Sequence, residues 1–314
     1  MTTVPAARRR QRADNTGLLF ALPHLILFTI FLLGPVVYGF YISLFRWHIL
    51  ARAHPFVGLA NYGAALQDDI FWKALANTGY FVLLIVPLGN LVSLGLALGL
   101  ASVKKGQTFY RAAFYLPTII SIAVVAVLWR WLYNTQVGIL NLYAKAVSDT
   151  LRGTLHLPVP AFEPIPWLSN PGYVIPAIVL LSVWWGAGGN MILYLAGLQN
   201  IGDDYYEAAT LDGANGPQKF RYITWPLLLP TTLFCLVISV LGSFQIFGQS
   251  YVLFAPGSGP ARSGLTLALY MYQQGFSQYE IGYGASIAYL LFLVVLLFTA
   301  AQFVLFRRAS KGEI

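Results

Sequence analysis

Two groups of residues in this chain could do chemistry, and neither is a catalytic constellation. The first is Glu207-Ala208-Ala209-Thr-Leu-Asp212-Gly213-Ala214, followed by Phe220, Ile223, Pro226 and Pro230. It is a charged, polar stretch between two long apolar runs, in a chain with only 10% charged residues. Acidic clusters around a Gly turn have little purpose there unless something docks on them, so their chemistry is recognition by charge and shape. The second group is a set of hydroxyls, amides and indoles inside apolar runs. Ser182, Trp184, Trp185 and Asn190 lie in one run, Ser239, Ser243, Gln245 and Gln249 in the next, and Asn90 and Ser93 in an earlier one. Polar groups so placed are expensive unless paired or wet. Ser239 and Ser243 are four apart and share one helical face. Hydroxyl-bonding groups beside the indole of Trp184 or Trp185 suit a solute rich in hydroxyls and C–H faces. The plainer alternative is a Ser that bonds its own backbone or a neighbouring helix. No acidic or basic residue sits at mid-span, which favours a neutral solute and argues against a proton relay.

Other chemistries lack their residues. No Gly-x-x-x-x-Gly-Lys-Ser/Thr occurs and the dipeptide Gly-Lys is absent, so no phosphate-cradling loop of that kind is available. There is no His-Glu-x-x-His and no Gly-x-Ser-x-Gly, and His24, His48, His54 and His156 are scattered, which leaves no expected metal site. The single cysteine, Cys235, excludes an internal disulfide framework and reads as a small buried hydrophobe. A net charge of +8 could suggest nucleic acid, but the basic residues are spread between apolar runs rather than gathered in a patch.

The elements that position these residues must be membrane helices. The chain is 58% hydrophobic, and a soluble domain carries about 25% charged residues, far more than here. Lipid is therefore the solvent for much of the surface. A span needs about 20 apolar residues, and the runs that qualify are roughly 17–44, 79–101, 112–133, 172–198, 226–250 and 283–306. A basic tail, 1–16, precedes the first. That run is too long for a signal-peptide core and ends in aromatics rather than a cleavage site, so it reads as a retained helix, kinked at Pro35. An extracytoplasmic segment, 45–76, then leads to a core of five further spans over 77–306 and a short tail, 307–314. With both termini in the cytoplasm, the inner segments carry Arg8, Arg9, Arg10, Arg12, Lys104, Lys105, Arg111, Lys219, Arg221, Arg307, Arg308 and Lys311. The outer ones, although longer, carry only Arg46, Arg52, Lys73, Arg130, Lys145, Arg152 and Arg262. That bias is the positive-inside signature. Trp129, Trp131 and Tyr133 would mark the outer interface, with Arg130 snorkelling to headgroups. The Pro-rich segment 134–171 would cap spans three and four, and 255–261 is an irregular Gly/Pro loop.

The loop 199–225 has its own local logic. Asp204 and Glu207 have the spacing of a capping box with Asp204 as N-cap. Ala208, Ala209 and Leu211 favour helix, and Gly213 supplies an end with positive φ. Asn215 and Pro217 fit the start of a second short helix, Phe220 and Ile223 give it one apolar side, and Pro226 restarts the chain as span five. The expectation is a helix–turn–helix at the cytoplasmic face.

The Glu207–Pro230 pattern resembles the cytoplasmic coupling (EAA) loop of ABC importer permeases. The similarity extends over roughly 18–308. It includes Gly58-x-x-Asn61-Tyr62, Phe71–Thr78, Arg111–Pro117, Leu128–Asn134 and Gly257-Ser-Gly259-Pro260, and it points to the carbohydrate branch with the maltose and glycerol-phosphate permeases. The departures are a longer, Pro-rich insert at 150–166 and Pro-Gly-Ser-Gly-Pro where a Gly-rich run is usual. The resemblance implies an all-α integral membrane fold of six transmembrane helices, the type I ABC importer permease core, in a bacterial or archaeal cell membrane. It implies a permease subunit, not an enzyme, of a binding-protein-dependent carbohydrate importer coupled through 203–224. Glu207, Ala208, Ala209, Asp212, Gly213 and Phe220 would meet the ATPase. The implied partners are a second, different permease, two ATPase subunits that hold the ATP and Mg, and an extracytoplasmic solute-binding protein, while this chain binds no cofactor and no nucleic acid. Maltose-type relatives place sugar-contacting side chains where this chain has Ser182, Ser239, Ser243 and Thr118. The alternatives are a polyol or glycerol phosphate as cargo, or a transporter working alone on an ion gradient, which would need a coupling-ion site at the midplane.

Overall fold

The computed structural model describes residues 16–103, 105–153, 160 and 162–310. The basic cluster Arg8 to Arg12, Lys104, His156, Pro158 and Lys311 lie outside the described residues. Among those described, five helices are long and apolar enough to cross a membrane, or six if one bent pair counts as a single span.

The first span runs from α1 (Thr16–Phe28) through a π-helical turn (Thr29–Leu33) into α2 (Gly34–Ser43). The wide turn ends immediately before Pro35, where Gly34 donates its N–H to Thr29. The irregularity expected at Pro35 is thus a π turn upstream of a residue that cannot complete the i−4 ladder. A short helix, α3 (Ala60–Leu66), leads to α4 (Asp69–Ala101), which starts ten residues before the expected run. Its extension is set by a cap rather than by hydropathy, because the Asp68 carboxylate accepts the N–H of Ile70 at 2.8 Å. Asp68 also accepts from Tyr270, and from Tyr283 at 2.9 Å, so this cap ties α4 to the far end of the chain. Burial pushes the Asp68 carboxyl up, yet these hydrogen bonds hold it below its ordinary value.

The third span departs from expectation. Residues 112–133 do not form one helix. They divide between α5 (Gln107–Ile119) and α6 (Ile122–Leu132), bent by 92°. Ile120 and Ser121 are extended, with ψ of 135° and 132°. The break is held from outside: Thr118 donates to the Trp185 carbonyl at 2.8 Å, and the Trp185 indole N–H donates to the Ile120 carbonyl at 2.9 Å. A carbonyl released from the helix ladder is thereby satisfied by a side chain of another helix. The aromatic residues closing this span do not form a uniform interfacial belt either. Trp131 is exposed, but Trp129 and Tyr133 are buried, and the Tyr133 hydroxyl donates to the Ala177 carbonyl at 2.6 Å. The Pro-rich cap, expected as an irregular segment over the bundle, contains a helix, α7 (Ile139–Gly153).

Span four, α8 (Pro171–Gln199), is capped by Asn170, which accepts the N–H of Gly172 at 2.9 Å, with Pro171 at the first helical position. It packs most closely on α4 and α5. At Gly188 a Cβ would lie 2.2 Å from the Phe114 carbonyl oxygen, so the α5–α8 crossing requires glycine. Two short helices follow, α9 (Asp203–Leu211) and α10 (Gly216–Lys219). Span five, α11 (Trp225–Phe244), ends six residues before the expected limit, and α12 (Gly248–Phe254) follows a break at 245–247. A last short helix, α13 (Leu267–Tyr272), precedes span six, α14 (Ile281–Ser310). One core cluster joins α4, α8 and α11 through Leu94, Ala97, Leu100, Met191, Tyr194, Leu195, Leu228 and the fully buried Cys235. The first span, in contrast, has no buried residue in its apolar window.

Candidate functional site

Two regions gather the residues singled out from the sequence. At the hairpin, α9 begins after Gly202, which has extended φ/ψ and contributes no side-chain cap. Asp204 is therefore not the N-cap. Asp203 and Asp204 occupy the first turn, where carboxylates favour the positive end of the helix dipole. The helix ends as a Schellman motif: Gly213 has φ 79°, Ala214 N–H donates to Ala209 at 2.9 Å and Gly213 N–H to Thr210 at 3.1 Å. The reciprocal capping box lies instead on α10. Asn215 accepts the Gln218 N–H at 3.0 Å while the Gln218 side chain accepts the Asn215 N–H at 2.8 Å.

Pro226 does not restart the chain. Helix α10 continues through a π turn, Phe220–Thr224, directly into α11, so the second arm of the hairpin is the beginning of span five. A proline inside a continuous helix cannot complete the i−4 ladder, and the π turn immediately upstream of Pro226 accommodates that gap, as the one at Thr29–Leu33 does ahead of Pro35. The arms are tied by Tyr206 to Thr224 at 3.0 Å and by Lys219, which donates to Thr210 at 2.8 Å. Glu207, Ala208, Asp212 and Gly213 are exposed and Ala209 is half-buried. Phe220 stays partly open, its ring 6.3 Å from that of Trp225. Leu211 is 90% exposed beside Glu207 and Ala208, an apolar side chain with nothing over it in this chain.

The second region is a cavity of about 430 Å³ between α4, α8, α11, the 245–247 break and the start of α12. Ser182, Trp185, Asn190, Ser239, Ser243 and Gln245 line it, together with Gln249 and Ser93. Its polar wall is a connected network. The Ser239 hydroxyl accepts from the Asn190 amide at 2.9 Å and the Asn90 amide at 3.1 Å, and the Tyr194 hydroxyl donates to the Asn90 oxygen at 3.1 Å. On the opposite side Gln249 donates to Ser182 at 3.4 Å. Ser243 and Ser93 turn back on carbonyls, Ser243 to Ser239 and Ser93 to Ala187 at 2.9 Å. Having accepted two amides, Ser239 retains its own O–H as a donor, and among the described residues nothing donates to the Asn190 side-chain oxygen. A donor and an acceptor thus stand side by side on one wall.

Thr118 and Trp184 do not line this cavity. Thr118 holds the break in span three, and Trp184 packs on Trp129 with ring centroids 5.7 Å apart. Phe81, Ile85 and Phe247 line it without having been singled out. Nothing in their types separates an apolar cavity wall from core, and only the fold does so. Among the described residues that line the cavity, none carries an ionisable side chain, and no group of three His, Cys, Asp or Glu could hold a metal ion.

The fold is thus a bundle of apolar helices around a largely apolar cavity with a few polar groups on its wall, together with a capped hairpin. Residues 89–311 match the family described as "Binding-protein-dependent transport system inner membrane component". A probable ABC transporter permease of Pyrococcus horikoshii is 36% identical over 89% of this chain and 91% of that protein. The arabinooligosaccharide transport permease AraP of Bacillus subtilis is 35% identical over 94% and 89%. A solved bacterial alginate ABC transporter, in complex with its pentasaccharide-bound periplasmic protein, contains a chain of the same fold (TM-score 0.78, 24% identity, covering 95% of this chain and 96% of that one). The chain belongs to the family of inner-membrane components of binding-protein-dependent transport systems. It is a membrane-embedded permease subunit of the ABC importer type.

Proposed function

We propose that this chain forms one half of the translocation path of a carbohydrate importer, with the cavity as its cargo site and the α9–α10 hairpin as its handle for an ATPase. The observation that carries the cargo reading is the wall chemistry. Amides and hydroxyls of Asn190, Ser239, Ser182 and Gln249 stand beside the Trp185 and Phe247 rings, with no charge. Polar groups that fix orientation on a largely apolar lining suit a neutral polyhydroxylated solute. The carbohydrate cargo of the Bacillus subtilis relative supports the same class.

Energy comes from outside this chain. Two ATPase subunits would bind ATP and Mg and grip Glu207, Ala208, Ala209, Asp212, Gly213 and Phe220 of the hairpin. Because α10 runs unbroken into α11, a displacement of the hairpin is transmitted along one helix to Ser239 and Ser243 on the cavity wall. Closure of the ATPase pair would then swing this wall as a rigid body. A second permease would complete the path, an extracytoplasmic binding protein would deliver the solute, and both termini would lie in the cytoplasm.

The test is uptake by the complete transporter in vesicles, driven by enclosed ATP. Glu207→Lys with Gly213→Pro should abolish uptake while the four-subunit membrane complex still reaches the membrane. Unchanged uptake would sink the docking role. Affinity measurements on the cognate binding protein, across neutral and charged sugars, test the cargo class separately.

A further inference from the structure

Helix α7 has three faces. Leu140, Asn141, Ala144, Ser148 and Leu151 turn inward and are buried or half-buried. Asn141 anchors that face: its amide donates to the carbonyls of Thr135 and Ile165 at 3.0 Å each, and its oxygen accepts the Trp167 indole N–H at 3.0 Å. Lys145, Asp149 and Arg152 form an exposed polar edge. The remaining face is apolar and uncovered, with Ile139 39%, Leu142 53%, Tyr143 67% and Val147 56% exposed and Ala146 open between them. Spacings of three and four place these side chains in one stripe.

We propose that α7 is an interfacial helix that seats this stripe in the headgroup and upper acyl region of the bilayer, beside the end of span three. Three observations favour lipid over water or another protein. The stripe follows within a few residues on the exposed apolar side of α6, where Val124, Val127, Leu128 and Trp131 are open on a membrane helix, and Val137 in the short turn 133–138 is exposed as well. Trp131 and Tyr143 are the amphipathic rings that settle at the membrane–water boundary. Lys145 and Arg152 sit at the stripe's edge, where their charges reach lipid phosphates while their stems lie on apolar surface. The three faces thus match three surroundings: protein, lipid and the wet headgroup layer. Anchored through Asn141, the helix fixes the depth of the α6 end and of the loop entering α8.

The test uses the complete transporter in vesicles of phosphatidylcholine and phosphatidylglycerol, with Cys235→Ala removing the only native thiol. Single cysteines at Leu142, Val147 and Lys145 receive nitroxide labels, and their collision rates with oxygen and with a water-soluble nickel chelate are compared. The expected result is an oxygen-to-nickel ratio several-fold higher at 142 and 147 than at 145. Equal nickel access at 147 and 145 would overturn the proposal in favour of water. Shielding of 147 from both reagents would overturn it in favour of a protein neighbour. Because Cys235 is buried, a photo-crosslinking amino acid at Val147 in the otherwise native chain gives a second reading. Lipid adducts support the proposal, and adducts chiefly to the second permease or the binding protein refute it.

Discussion

The hairpin and the cavity are built in opposite ways. Every bond that shapes the hairpin joins residues fewer than twenty positions apart: the Schellman closure at Gly213, the Asn215–Gln218 box, and the ties from Tyr206 to Thr224 and Lys219 to Thr210. The polar wall of the cavity joins Asn90, Asn190, Tyr194 and Ser239, from three separate helices. The hairpin's bonds can therefore be altered without touching the cavity's network, whereas that network depends on how three helices pack. In the proposed importer, whose motor would be a separate subunit, that asymmetry is useful: the gripped part would be locally rigid, and the part that holds cargo would shift when helices shift.

The largest expected effect comes from attacking the cavity's scaffold. Gly188→Leu forces a side chain into the Phe114 backbone, from which a Cβ would be only 2.2 Å distant. Overpacking of that kind costs roughly 1–3 kcal/mol, occasionally more, and backbone cannot rotate away as a side chain could. Loss of monodisperse complex in detergent, or a lowered melting temperature, is the readout, and a normal melting curve would contradict the crossing described here.

Next in size is Asn190→Leu, which leaves Ser239 with one amide donor and removes the free acceptor. Losing one hydrogen-bond partner of a half-buried group costs about 0.5–1.5 kcal/mol, so cargo-stimulated ATP hydrolysis should need a roughly two- to ten-fold higher loaded binding-protein concentration. Thr118→Val, which loses only its bond to the Trp185 main-chain carbonyl, should shift that concentration far less. An equal shift for both variants would erase the distinction between wall and support.

Asn215→Ala removes half of the reciprocal box at a cost of about 1 kcal/mol. Amide exchange at Gly216, Gln218 and Lys219 should accelerate while exchange in α8 and the apparent cargo affinity stay unchanged. Faster exchange along α8 would show that the hairpin is not independent of the bundle. The smallest expected effect is none at all. With no ionisable side chain among the residues that line the cavity, and only the Tyr194 phenol behind them, cargo affinity of the complex should stay flat between about pH 5 and 8, the window in which an unperturbed His would titrate.

How much could be read beforehand follows the same division. Gly213, Asn215 and Pro217 carry their conformations in their own chemistry, and a positive φ, an N-cap and a first-turn proline are local demands. The misplaced cap at Asp204 is instructive. Asp204 and Glu207 have box spacing, but the chain turns helical at Asp203, so the nearest carboxylates fall inside the first turn instead of before it. The continuity of α10 with α11 was hidden by Pro226, because proline commonly marks the start of a helix, and only the upstream π turn lets it sit inside one. Helix α7 was masked by the prolines that follow it.

Hydropathy by itself determined that this chain lives in lipid, because burying that much apolar surface away from water requires no knowledge of which helix touches which. The positions of the charged residues along the sequence likewise determined that mid-span chemistry is uncharged, since Asp, Glu, Lys and Arg stand away from the middles of the apolar runs. Only the tertiary structure decided that span three breaks at Ile120, because the force that stabilises the break is a Trp185 indole arriving from another helix. Only it decided which of several similar Ser, Thr and Trp residues face a common space. A helix presents polar atoms at every angle, and the packing of its neighbours selects the few that meet.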